Sequence, residues 1–201
     1  MDKHFLPKKE NNGYSPIGIT KLFEQAEKEN NGKIDAILKN KKIYKNLWEM
    51  YHGSFLALAL YKKFGSEFQF DIVEGQDSPD LYFVQRNGDG AVPVEIMELY
   101  KYNGGFKNHK ELARHVWDTK GTINYDKCHL LLASRLNIEK FNVTKFVQEI
   151  KNFNWKFERI WLSLYTESKK QWTFFEIFPP AQYNDSNYIF FNLKEDKKYW
   201  Y

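Results

Sequence analysis

Apolar residues recur at helical spacing in the first third of the chain and at strand spacing through most of the rest. Ile19, Leu22, Phe23 and Ala26 share one face of a helix predicted over Ile17–Glu29, and Asn30-Asn31-Gly32 stops it. A second helical stretch starts near Lys33 and breaks around Asn40. The strongest helical pattern runs from Ile43 to Phe64, with Leu47, Met50, Tyr51, Phe55, Leu58 and Tyr61 on one side and Gly65 as its terminator.

The period then changes from helical to alternating. Phe68, Phe70 and Ile72 alternate with Gln69 and Asp71, the pattern of a strand with one buried face. After a turn over Gly75–Pro79, Leu81–Arg86 and Ala91–Tyr100 form two further strands around the hairpin signal Asn87-Gly88-Asp89-Gly90. A helix is predicted from about Phe106 to Thr119. Cys128–Ser134 is apolar on both faces and reads as a central, covered strand. Asn142 caps a helix ending near Phe153. Phe157–Tyr165 and Trp172–Phe178 are strands joined by the polar turn Glu167–Lys170, and Tyr188–Leu193 is a final edge strand. The order implies an α/β domain around a mixed sheet. We expect an N-terminal arm and helical extension over 1–40, and one α/β domain over 41–201.

Composition narrows the function classes. With 42% hydrophobic and 28% charged residues among 201, the chain is not intrinsically disordered, and 18% aromatics promise a core rich in Phe, Tyr and Trp. The longest clean apolar run, Phe55–Tyr61, is too short to span a bilayer, and the polar start Met1-Asp2-Lys3-His4 lacks an apolar signal region. Cys128 is the single cysteine, so disulfide frameworks and zinc–thiolate clusters are excluded and a reducing cytoplasm is expected. The net charge of +4 permits a polyanionic partner, but its basic residues are nearly all lysine, with arginine only at 86, 114, 135 and 159. Lysine holds phosphate as a point charge, which favours backbone contact over base reading. A coding bias toward lysine and asparagine gives the same composition.

No glycine-rich phosphate loop follows any strand. The histidines at 4, 52, 109, 115 and 129 include no helical i, i+4 pair, and Ser54 and Cys128 lie in apolar segments that offer no nucleophilic triad. Two acids stand out instead. Asp80, in Pro79-Asp80-Leu81, opens the second strand, and Glu95, in Val92-Pro93-Val94-Glu95-Ile96-Met97, lies within the third, fifteen positions on (95 minus 80). A hairpin that pairs these strands brings both carboxylates to one side of the sheet, a hard oxygen site suited to Mg²⁺. Each residue has a plainer reading. Asp80 is a common strand-entry residue, and Glu95 on an edge strand faces solvent, whereas a buried Glu95 needs a partner or a metal.

The element order and the two acids resemble the PD-(D/E)XK nuclease superfamily, the restriction-endonuclease-like fold, over roughly Glu49–Ser134. The resemblance implies Mg²⁺-dependent (or Mn²⁺-dependent) hydrolysis of phosphodiester bonds in DNA. Asp80 and Glu95 would be metal ligands, and Glu49, on the preceding helix, an accessory acid. The superfamily carries lysine where this chain has Met97. Some members draw that amine from a neighbouring element, and Lys101, Lys107 and Lys110 are the candidates here. The helix over 106–120 also carries Arg114 and Lys120, a face that is solvated or flanks a nucleic-acid groove. The alternative is the same fold without catalysis, kept as a nucleic-acid-binding or protein-interaction module. DNA is the expected partner, no membrane is expected, and a homodimer is admitted.

Overall fold

The computed structural model describes residues 13–33, 37, 47–72, 79–86, 90–99, 108–124, 126–137, 141–166, 171–179 and 188–200, with backbone alone at 135–137. The expected helix over 33–40 (Ile37 apart), most of the 75–79 turn, the hairpin residues 87–89, the turn 167–170, and Lys101 and Lys107 lie outside them. The described residues form an α/β protein with four helices and seven strands. The chain divides into two compact units, Met1–Ala91 with Lys198–Tyr201, and Val92–Lys197.

The first unit is built on α1 (Pro16–Glu29) and α2 (Leu47–Phe64). Ser15 caps α1 by accepting from the Gly18 N–H, and Pro16 occupies the first turn, where no donor is lost. Asn31 and Gly32 take positive φ and end the helix as expected. α2 departs from the one-sided pattern, because every residue from His52 to Leu60 is buried. The residues between its large apolar positions are small or aliphatic, so the helix presents apolar surface all round and is covered all round. Phe23 of α1 stacks on Tyr51 of α2 with ring centroids 3.9 Å apart. β1 (Phe68–Asp71) and β2 (Leu81–Gln85) are antiparallel, with Phe70 opposite Phe83. Gln69 is buried together with Phe70, so β1 lacks the single buried face that its alternation predicts. A Cβ on Gly53 would lie 3.0 Å from the Leu81 side chain, so this glycine lets α2 approach β2 closely.

The second unit holds β3 (Ala91–Glu98, apart from Ala91), α3 (His109–Lys120), β4 (His129–Asn137), α4 (Val143–Ile150), β5 (Arg159–Thr166), β6 (Gln171–Phe178) and β7 (Tyr188–Asn192). Its strands lie in the order β3-β4-β5-β6-β7. β3, β4 and β5 are parallel, and β6 and β7 continue antiparallel, so the sheet is mixed as expected. Helices α3 and α4 make the two crossovers between the parallel strands, and consecutive right-handed crossovers in one direction place both on one face. That face holds the apolar cluster of Met97, Leu112, Val116, Leu130, Leu132, Phe146, Ile150 and Leu162. Leu130, Leu131 and Leu132 are fully buried, which bears out β4 as a strand covered on both sides. Asn108 and Asn142 cap α3 and α4 by accepting from the N–H groups of Glu111 and Lys145.

Candidate active site

Glu95 has no exposed surface, although it carries a carboxylate. Strand periodicity puts it on the same face of β3 as Met97, the face covered by α3. In register it stands opposite Leu130 of β4, and Leu130 stands opposite Ile160 of β5, so its level of the sheet is otherwise aliphatic. An ion there requires a counter-ion, and Lys120 supplies it: Nζ donates to Oε2 at 2.5 Å. The Lys120 side chain keeps 17% of its surface exposed, against none for Glu95.

Local chain geometry places this amine. Lys120 is the last residue of α3, and the Gly121 N–H donates to the Trp117 carbonyl at 2.7 Å to close the helix. A Cβ at position 121 would come within 2.5 Å of the Trp117 ring, so the turn that carries Lys120 fits only glycine. Trp117 is itself fixed by stacking on Phe153 and by an edge contact with Trp155. The Trp155 indole in turn donates to the Ile150 carbonyl at 2.8 Å.

The sequence candidates distribute as follows. Glu49, in the first turn of α2, and Asp80, at the entry to β2, are half-buried and belong to the first unit. Glu95 belongs to the second. Lys110 is exposed on α3, and the amine that meets Glu95 is Lys120, which the sequence reading placed only on a solvated or groove-flanking face. Met97 is buried in the apolar cluster of the second unit. Among the described residues no three His, Cys, Asp or Glu side chains gather as a metal-binding group. The donor types of the sequence motif are carboxylate oxygens alone, which suit a hard cation such as Mg²⁺ and not zinc.

A second polar group occupies the other face of the same strands. His129 stands opposite Arg159 in the β4–β5 register, and Arg159 is paired with Glu176 of β6. Burial, with Arg159 as a lesser cause, lowers the His129 pKa from 6.5 to about 4, so the ring is neutral at physiological pH. Its Nδ1 is buried without a hydrogen-bond partner among the described residues. No described helix is long and apolar enough to cross a membrane. Comparison with family models, with curated proteins and with solved structures finds no match.

Proposed function

We propose that this chain is a restriction-endonuclease-like domain that hydrolyses phosphodiester bonds in DNA with Mg²⁺ or Mn²⁺. The observation that carries the reading is the buried Glu95–Lys120 pair. The superfamily motif sets an acid and an amine on one face of one strand, two positions apart. Here Met97 fills the amine's position, while an amine from α3 arrives at the acid on that same face. The element order α2-β1-β2-β3-α3-β4 and the parallel pairing of β3 with β4 support the same assignment.

Glu95 would hold the divalent ion, with Asp80 named from the sequence motif alone, and the ion would supply Lewis acidity at the phosphodiester. The chain's own residues do the rest. Glu95 holds the Lys120 ammonium in place, and burial keeps that interaction little screened by solvent. Lys120 would act as a fixed positive charge on the scissile phosphate and its attacking water.

The test is Mg²⁺-dependent nicking of supercoiled DNA. Wild-type protein should nick, Glu95→Gln should not, and Lys120→Met should lose on the order of a hundredfold or more. Lys120→Arg preserves the ion pair and separates lost charge from lost fold. Absence of nicking with every divalent ion would defeat the enzyme reading. The non-catalytic alternative has one observation in its favour: with Met97 committed to the core, the Glu95–Lys120 pair also suffices as a structural ion pair. That alternative expects DNA binding without cutting.

A further inference from the structure

On the face of the sheet away from α3 and α4, β4, β5 and β6 assemble a polar group that takes no part in the Glu95 site. His129 opens β4 and stands level with Arg159, which opens β5. Neighbouring strands lie about 4.8 Å apart, so these side chains are direct neighbours on one face. Arg159 Nη1 donates to Oε1 of Glu176 on β6. On its other side His129 stands level with Val94 of β3, whose side chain has no polar atom. Trp161, two residues along β5 from Arg159 and on the same face, is buried and stands level with Glu176.

What this group lacks is acceptors. A guanidinium carries a fork of N–H donors, and among the described residues the acceptor that Arg159 meets is the Glu176 carboxylate. Neither ring nitrogen of His129 has a hydrogen-bond partner among the described residues, and Nδ1 is sealed from solvent. Trp161 Nε1, a donor only, is likewise buried without an acceptor among the described residues. Buried polar atoms left in this state cost free energy unless a water or an ion meets them. The Arg159 side chain is 40% exposed, so a solute reaches its guanidinium from water. A carboxylate is flat and matches the guanidinium fork alone. A phosphate offers oxygens in three dimensions, so it takes that fork together with a donor from the neighbouring strand.

We propose that His129 and Arg159 form a phosphate-binding site on this face. Arg159 donates through the N–H groups that Glu176 leaves open, and His129 donates through its ring N–H. Glu176 opposes the ligand, because its carboxylate occupies one Arg159 donor and adds a negative charge beside the phosphate. The site uses neither Glu95 nor Lys120, so it stands or falls apart from the nuclease reading. Its phosphate has two sources, the free inorganic ion and the phosphate of a nucleotide, which share the group that His129 and Arg159 would hold.

The experiment is thermal unfolding of the full chain at neutral pH with increasing sodium phosphate, against sodium chloride and sodium acetate at matched ionic strength. Phosphate should raise the Tm of the wild type with concentration, and the two control salts should not. His129→Phe keeps a ring and removes both nitrogens, and it should weaken phosphate binding about threefold to tenfold. Arg159→Lys keeps the charge and loses the fork, which should cost about tenfold or more. Glu176→Gln should tighten binding, an effect that a purely structural Arg159–Glu176 pair does not produce. Thymidine 5′-monophosphate, titrated in parallel, assigns the source: tighter binding than inorganic phosphate points to a nucleotide, and equal binding to the free ion. Equal Tm shifts from all three salts would overturn the proposal. So would a wild-type phosphate response in both His129→Phe and Glu176→Gln, which decide the matter even if Arg159→Lys fails to fold.

Discussion

Removing the ammonium from Lys120 is the sharpest perturbation of the second unit. Lys120→Met keeps the stem that packs at the end of α3 and deletes only the charge that meets Glu95. The carboxylate then remains at a position with no exposed surface, at a level shared with Leu130 and Ile160. Breaking a buried pair in this way costs about 3–5 kcal/mol, several times the value of an exposed ion pair. For a chain of this size that is a fall in Tm of about 6–20 °C, at about 2–4 °C per kcal/mol. Urea unfolding of wild type, Glu95→Gln, Lys120→Met and the double variant closes a thermodynamic cycle. The double variant should be more stable than the sum of the single losses implies, because either single change already removes the contact that the two side chains share. A single-variant cost below about 1 kcal/mol, or strict additivity, would refute the claim that this amine neutralises Glu95.

Three further outcomes are expected. Met97→Lys, which restores the superfamily residue in sequence, should destabilise by about 3 kcal/mol or more and yield little activity, because position 97 is packed among Leu112, Val116 and Leu132; a stable, more active variant in melting and nicking assays would show that the position opens to water. Asp196→Ala should cost about 1–3 kcal/mol in urea unfolding, because the Asp196 carboxylate accepts from the buried Asn192 N–H at 2.8 Å and closes the turn after β7; an unchanged midpoint would refute this. His129 has a folded pKa near 4 against 6.5 unfolded, so the unfolded chain binds the extra proton in that window. Its share of stability is therefore complete above pH 6.5 and is lost as pH falls towards 4, about 2 kcal/mol of it by pH 5, and His129→Gln should flatten that part of the stability–pH curve relative to wild type.

The parts of this fold that were legible in sequence are those set by local chemistry. Asn-Asn-Gly after α1, Gly65 after α2 and the Asn142 cap of α4 act within a few residues, and the structure uses each of them as read. The double-sided apolarity of β4 was legible for the same reason, since a strand that cannot face water has only the sheet interior to occupy. What escaped depends on residues far apart in the chain. Gln69 is polar and its alternation points outward, yet tertiary cover buries it. α2 shows an apolar stripe, but its remaining positions are small enough for neighbours to close over them as well.

Lys120 escaped for a more instructive reason. Glu95 announces its need for a partner by sitting in an apolar strand, and the lysines soonest after it in sequence are 101, 107 and 110. A crossover between parallel strands imposes a different order. The chain leaves the end of β3, and α3 must return it to the start of β4, so the end of α3 and not its start comes back to the level at which β4 begins. Glu95, the fifth of the eight residues of β3, lies at that level, in register with the second residue of β4. The partner of an acid level with the start of the next strand of such a unit is therefore to be sought in the last turn of the crossover helix, and Lys120 is the final residue of that turn. Moving the lysine one helical turn back, as Lys120→Ala with Trp117→Lys, should not restore the pair, because position 117 faces Phe153 and Trp155. Recovery of wild-type stability by that double variant would show that any amine near the end of α3 serves, and that the geometry fixed by Gly121 is incidental.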